Sequence, residues 1–202
     1  MSAQEPESSP YRILYVSAAG QVGGAEKSLL DLLDGLDRSR FEPAVAFPAG
    51  GDLAEELARR EIPLSLVSLS RFRRTWNPFQ LAGYAFRWCR GASDVRQVID
   101  FRKPDVVHAN GDMAQVYVGK AGRARPAARV WHVRDTASPV WLRRRLAARA
   151  DRIIAVSHSV EKALVSQGIP AEKIRVVLNG IDTKPFESVP PPPEGPATVG
   201  MV

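Results

Sequence analysis

The 202-residue chain contains one cysteine, Cys89. An intrachain disulfide and a cysteine-rich metal site are therefore both excluded. No apolar run approaches the roughly 20 residues that a membrane-spanning helix needs. Met1 to Pro10 is polar, carries Glu5 and Glu7, and lacks the basic start and apolar stretch of a secretory signal, so residues 1–10 read as a disordered lead-in. The simplest compartment is then the cytoplasm. The histidines, His108, His132 and His158, have no carboxylate or cysteine at ligand spacing, so no metal is expected. No internal repeat is visible.

What is present is globular. The chain is 45% hydrophobic and 25% charged, enough for one well-buried domain. Its net charge is +6 and its pI about 9.8, a balance that suits nucleic acid, anionic lipid or phosphorylated small molecules without choosing among them. No recognised nucleic-acid module is visible, so nucleic acid is not an expected partner. The positive charge is clustered. Arg71, Arg73, Arg74, Arg87 and Arg90 fall in one stretch with no acid between them, and Arg143, Arg144, Arg145 and Arg149 form a second group.

Apolar β-branched runs alternate with helical spacing along the chain. Strands are expected at Tyr11–Ser17, Phe41–Phe47, Leu64–Leu69, Asp105–His108, Ala128–Val133, Arg152–Val156 and Ile174–Leu178. Helices are expected at Ala25–Leu36, Asp52–Arg60, Phe79–Phe101 with a break near Gly91, Met113–Ala121 and Val140–Ala150, and a further one capped by Ser157 and stopped at Gly168 and Pro170. Such alternation with short connections implies an α/β fold, a Rossmann-like parallel sheet with helices on both faces. The domain is read as 11–186. Prolines at 190–193 and Gly195-Pro196 then make a stiff linker over 187–196, and 197–202 (ATVGMV) reads as the first strand of a second domain.

Three groups of residues can carry chemistry. Gly20, Gly23 and Gly24 follow the first strand, where bare backbone N–H groups and a helix N-terminus can approach a phosphate. The spacing is neither the dinucleotide fingerprint nor a Walker loop, and a tight strand-to-helix turn explains it equally. His108 and His132 end strands and His158 begins the helix after RIIAVS, so all three lie at the strand ends where parallel sheets bind ligands, and a shared cleft is expected. The third group is the arginine stretch, interleaved with Phe72, Trp76, Phe79, Tyr84, Phe86 and Trp88. Arg71, Arg73, Arg74, Trp76, Arg87, Trp88 and Arg90 could form an amphipathic surface for an anionic membrane or an acceptor, with Trp141 and Arg143 to Arg145 extending it. An ordinary surface helix with aromatics in the core is the competing reading.

Three segments together resemble glycosyltransferase family 4, the retaining two-domain enzymes of the GT-B fold. They are GGAEKSLLDLLDGL, PDVVHAN, and RIIAVSHSVEKALVSQGIPAEKIRVVLNGID, with Phe186 fitting the hinge that follows. The resemblance implies two Rossmann-like domains across a cleft, this chain being the N-terminal, acceptor-side half. It implies a nucleotide-sugar donor, UDP- or GDP-linked, an acceptor, and no metal or other cofactor. Gly20, Gly23 and Gly24 would then lie near the donor diphosphate. His132 would take the place of the histidine near the transferred sugar, and His108, Asn110, Arg134 and Asp135 would contact the acceptor. The family's carboxylate pair and phosphate-gripping Arg and Lys belong to the second domain, which this chain would need as its partner. A charge developing on the leaving diphosphate requires those cations, so the chain alone is expected to be inactive. A sugar-nucleotide epimerase of the same fold, with Asp112 and Asp135 as acid and base, and a basic membrane- or partner-binding module are the alternatives.

Overall fold

The computed structural model describes residues 9–70, 77–122, 126–180 and 183. The lead-in to residue 8, Arg71, Arg73, Arg74 and Trp76, the Pro-rich stretch and 197–202 lie outside the described residues. Within them runs a seven-stranded sheet, every neighbouring pair parallel, in the order β3-β2-β1-β4-β5-β6-β7. The strands are β1 (Tyr11–Ser17), β2 (Phe41–Phe47), β3 (Leu64–Leu66), β4 (Val106–Asn110), β5 (Ala128–Val133), β6 (Arg152–Ala155) and β7 (Ile174–Val176). The helices are α1 (Gly24–Asp34), α2 (Leu53–Arg59), α3 (Pro78–Arg102), α4 (Asp112–Ala121), α5 (Val140–Ala147) and α6 (His158–Ser166). This is the expected doubly wound α/β fold. The winding reverses at β1 and β4, so the crevice outside their carboxyl ends is the switch point where such sheets bind ligands.

Side chains alternate across each strand and so feed different layers. Tyr15, Val45 and Phe47 pack with Leu29, Leu30 and Leu33 of α1 and Leu53 and Leu57 of α2. On the opposite face, Leu14, Val16, Val107 and Ala109 pack with Val95 and Ile99 of α3 and Tyr117 and Val118 of α4. Farther along that face, Trp131, Val133 and Ile153 meet Leu146 of α5 and Leu164 of α6. Over β6 and β7 the α1 side carries no such cluster among the described residues. Ile154 there lines a cavity instead.

The expected break at Gly91 is absent, and α3 runs unbroken from Pro78 to Arg102. Its start is sharp because the Asn77 side chain accepts from the N–H groups of Phe79 and Gln80 and Pro78 follows at once. Gly91 serves packing. A Cβ there would lie 2.6 Å from the Ser68 carbonyl oxygen and 2.7 Å from Cε1 of Tyr117. The Tyr117 hydroxyl meanwhile donates to Ser70 O at 2.8 Å and accepts from Ser70 N at 2.9 Å. Gly91→Ala is therefore expected to destabilise the protein by about 1–3 kcal/mol despite the gain in helix propensity. A urea midpoint unchanged or raised in this variant would show that the three segments relax around the methyl group.

Candidate functional site

The loop after β1 is held by backbone contacts. A Cβ on Gly20 would lie 2.0 Å from the Gly50 carbonyl oxygen, so glycine is obligatory for the loop to seat against the β2–α2 turn. Leu53 N donates to Gly20 O at 3.0 Å, and Val22 N donates to Asp52 Oδ1 at 2.7 Å. Gly23 is the N-cap of α1, and its N–H donates to Glu26 Oε2 at 3.3 Å, the reach-back half of a capping box. A Cβ on Gly24 would meet nothing within 4 Å, so that glycine faces open space.

Glu26 is the residue that sequence reasoning left unassigned. Only 7% exposed, it also accepts from Ser17 Oγ at 2.8 Å. Arg134 follows β5 directly. Its Nε and Nη2 donate to Asn110 Oδ1 at 2.9 and 2.7 Å, while Asn110 Nδ2 donates to Ala25 O at 3.3 Å. Burial holds the Arg134 pKa below that of a free guanidinium, and the negative charge of Glu26 opposes that shift. Carboxylate, amide and guanidinium thus join the ends of β1, β4 and β5 to the first turn of α1. Beside them opens a cavity of about 430 Å³, lined by Ala18, Glu26, Asp112, Asp135 and Ser138 among others. Burial, helped by the charge of Asp135, raises the Asp112 carboxyl above its ordinary pKa. Asp135 itself accepts from Ala137 N at 2.9 Å and shapes the turn after β5.

A second cavity, of about 540 Å³, lies on the α1 side of β4–β6. His108 and His132 line it together with Asp31, Asp34, Ile154 and Asn179. In the β4–β5 register His108 faces Val130 and Asn110 faces His132, which puts both imidazoles on one face. The rings meet, with Nε2 of His108 3.2 Å from Nδ1 of His132. Burial first, then the charges of His132 and Arg134, bring the His108 pKa down to about 3. Burial and Arg134 bring His132 down to about 4. His158 opens α6 as expected but is not among the residues lining that cavity; it is exposed and pairs with Glu161 at 3.1 Å.

The basic surface is only partly as expected. Arg87 and Arg90 are exposed, with Arg87 4.9 Å from the Tyr84 ring centroid. Trp88 turns inward against the α3–α4 core, with Lys120 over its ring. Phe79, Phe86 and Trp141 are the outward aromatics, 87%, 69% and 63% exposed. Arg143 does not extend that surface. It is 4% exposed and donates to the carbonyls of Thr136 and Ser138, both at 2.8 Å, which pins the loop after β5.

The solved structures this chain is similar to share the fold. HepE of Anabaena in complex with UDP-glucose is 26% identical with a TM-score of 0.63, covering 85% of this chain and 44% of that one. The lipopolysaccharide outer core galactosyltransferase WaaB in its apo form is 20% identical, TM-score 0.65, covering 92% of this chain and 50% of that one. The UDP-GlcNAc 2-epimerase of Neisseria meningitidis bound to UDP-GlcNAc is 18% identical, TM-score 0.58, covering 83% of this chain and 47% of that one. The chain thus spans about half the length of these relatives. No curated protein matches it by sequence. The model of Glycosyltransferase Family 4 matches residues 22–185, which takes in Gly23 and Gly24, both buried histidines, Arg134 and β7, and the chain belongs to that family.

Proposed function

We propose that this chain is the acceptor-side half of a retaining glycosyltransferase that moves a sugar from a UDP- or GDP-linked donor to an acceptor. The observation that carries the reading is the family match across the switch-point residues, from Gly23 through Arg134. Gly23 and Gly24 are the groups proposed to lie by the donor diphosphate. His132 is proposed to hydrogen-bond a hydroxyl of the transferred sugar, with His108, Asn110, Arg134 and Asp135 toward the acceptor side. No cofactor beyond the donor substrate is part of this proposal. The diphosphate leaves with growing negative charge, and the cations that stabilise it belong to a second domain on this reading. The protein with that domain should release nucleotide from one member of a panel of UDP- and GDP-sugars, and His132→Ala should lower kcat by roughly 10²-fold. Residues 1–202 alone should release none. Turnover by the chain alone, or a fully active His132→Ala protein, would overturn the corresponding part.

The Asp112–Asp135 pair favours a second reading. One carboxyl raised by burial beside another that is solvent-accessible is an acid–base arrangement, as a sugar-nucleotide epimerase would need. Epimerised sugar nucleotide formed without acceptor would select it. The outward aromatics and arginines of α3 and α5 support a peripheral site on an anionic membrane at the cytoplasmic face. Flotation with anionic vesicles, lost with neutral ones and weakened at least tenfold in an Arg87→Glu/Arg90→Glu protein, is the expected result. Equal flotation on neutral vesicles would remove the membrane as a partner.

A further inference from the structure

A neutral imidazole has one N–H and one bare nitrogen, and neither two N–H groups nor two lone pairs can face each other at hydrogen-bond distance. Between Nε2 of His108 and Nδ1 of His132, 3.2 Å apart, one nitrogen must donate and the other accept. Two arrangements satisfy this. If His108 donates, both rings carry their proton on Nε2. If His132 donates, both carry it on Nδ1. The isolated neutral side chain favours the proton on Nε2, so the first arrangement places both rings in their preferred form and the second places neither.

The consequence appears at the other side of the His132 ring. That ring is 7% exposed, lines the 540 Å³ cavity, and has its Nε2 buried without a partner among the described residues. A buried polar nitrogen left unpaired is costly, so a water or ligand atom at this place is favoured. The Nδ1 contact with His108 favours the ring orientation that leaves Nε2 on the other side.

We infer that His108 is a positioning residue that fixes His132 as the Nε2–H tautomer, so that the cavity presents a single imidazole N–H donor to a ligand oxygen. The identification of that oxygen as a sugar hydroxyl rests on the transferase reading above. The tautomer does not. The arrangement explains why two histidines occur where one would suffice for a contact. Through this bond His108 decides whether His132 donates or accepts. A ligand oxygen is thereby preferred over a ligand N–H at that point.

The test is a long-range proton–nitrogen correlation spectrum of the ¹⁵N-histidine-labelled protein at neutral pH, where both rings are neutral. His132 should show a protonated Nε2 and a bare Nδ1. His108→Phe keeps a ring against Tyr15, whose centroid is 4.9 Å from that of His108, but removes the donor, and the His132 nitrogens should then average between tautomers. His108→Gln, whose amide N–H can donate from a similar place, should restore the single form. In the nucleotide-release assay kcat should fall roughly tenfold in His108→Phe and recover in His108→Gln, the scale of loss seen when an orienting partner of a functional imidazole is removed. His132 protonated at Nδ1 in the native protein overturns the inference, whether or not the Phe variant folds. So does a His132 spectrum unchanged in a folded His108→Phe protein. If the tautomers behave as stated and no variant changes nucleotide release, the transferase reading of the cavity fails and the positioning role stands.

Discussion

Acidification from pH 7 to pH 4.5 is expected to unfold this protein well before its carboxylates are protonated. His108 and His132 have folded pKa values of about 3 and about 4, depressed chiefly by burial. In the unfolded chain each titrates near 6.5. Below that value the unfolded state binds protons that the folded state refuses, so stability is fully present above about pH 6.5 and is lost as pH falls toward the folded values. Two such protons give a slope of up to about 2.7 kcal/mol per pH unit. The groups facing the pair do not cancel this. Arg134 adds repulsion to both imidazolium forms, and Tyr15 stays neutral throughout, its pKa pushed up to about 12. Asp112 works in the opposite direction, because a carboxyl whose folded pKa is raised makes the folded state the better proton binder as pH falls through that value. Its contribution is one proton against two. Urea midpoints between pH 7 and 4.5 measure the slope, and His108→Asn should roughly halve it. A flat profile over that range would mean that water reaches the two rings and that they are not held neutral by burial.

The sheet could be read from the sequence because its strands are buried on both faces. Tyr11–Ser17, Phe41–Phe47 and Ala128–Val133 are mostly apolar runs, each with one charged residue near its start (Arg12, Glu42, Arg129), and their expected bounds coincide with β1, β2 and β5. The edge strands were read too long, since Leu64–Leu69 and Ile174–Leu178 remain apolar beyond the three residues that pair in β3 and β7. Gly91 read as a break because its cause, the ring of Tyr117, lies 26 positions away on another helix. The histidines show the same limit. The strand pattern places all three at strand ends, but only the β4–β5 register puts His108 and His132 on one face, while His158, at the helix start the sequence also indicates, is exposed. On α3, Phe86 and Trp88 stand two residues apart, which is more than half a helical turn, so one points to solvent and the other to the core. The direction of α3 toward α4 is a tertiary fact that the pattern of aromatics alone does not contain.

Glu26→Leu should be the most damaging single substitution near the candidate site, at about 3–5 kcal/mol. The side chain holds three things together. It accepts from Ser17 at the end of β1, caps Gly23 at the start of α1, and supplies the charge that offsets the burial of Arg134. Without it the Ser17 hydroxyl, fully buried, loses its carboxylate partner, and Arg134 keeps its desolvation cost with only the neutral Asn110 to answer it. Helix propensity cannot compensate, since Leu and Glu are nearly equal in a helix while an acid in the first turn is favoured by the helix dipole. The decisive comparison is a double-mutant cycle read by urea midpoints. Arg134→Met in the Glu26→Leu background should recover part of the loss, because it removes the uncompensated cation, whereas Arg134→Met alone should destabilise. Additive losses in the double variant would mean that the two charges do not sense each other, and that Glu26 acts only through Ser17 and the cap of α1. A coupling of about 1–3 kcal/mol would instead show that the guanidinium at the switch point is held in place by a carboxylate from the glycine loop.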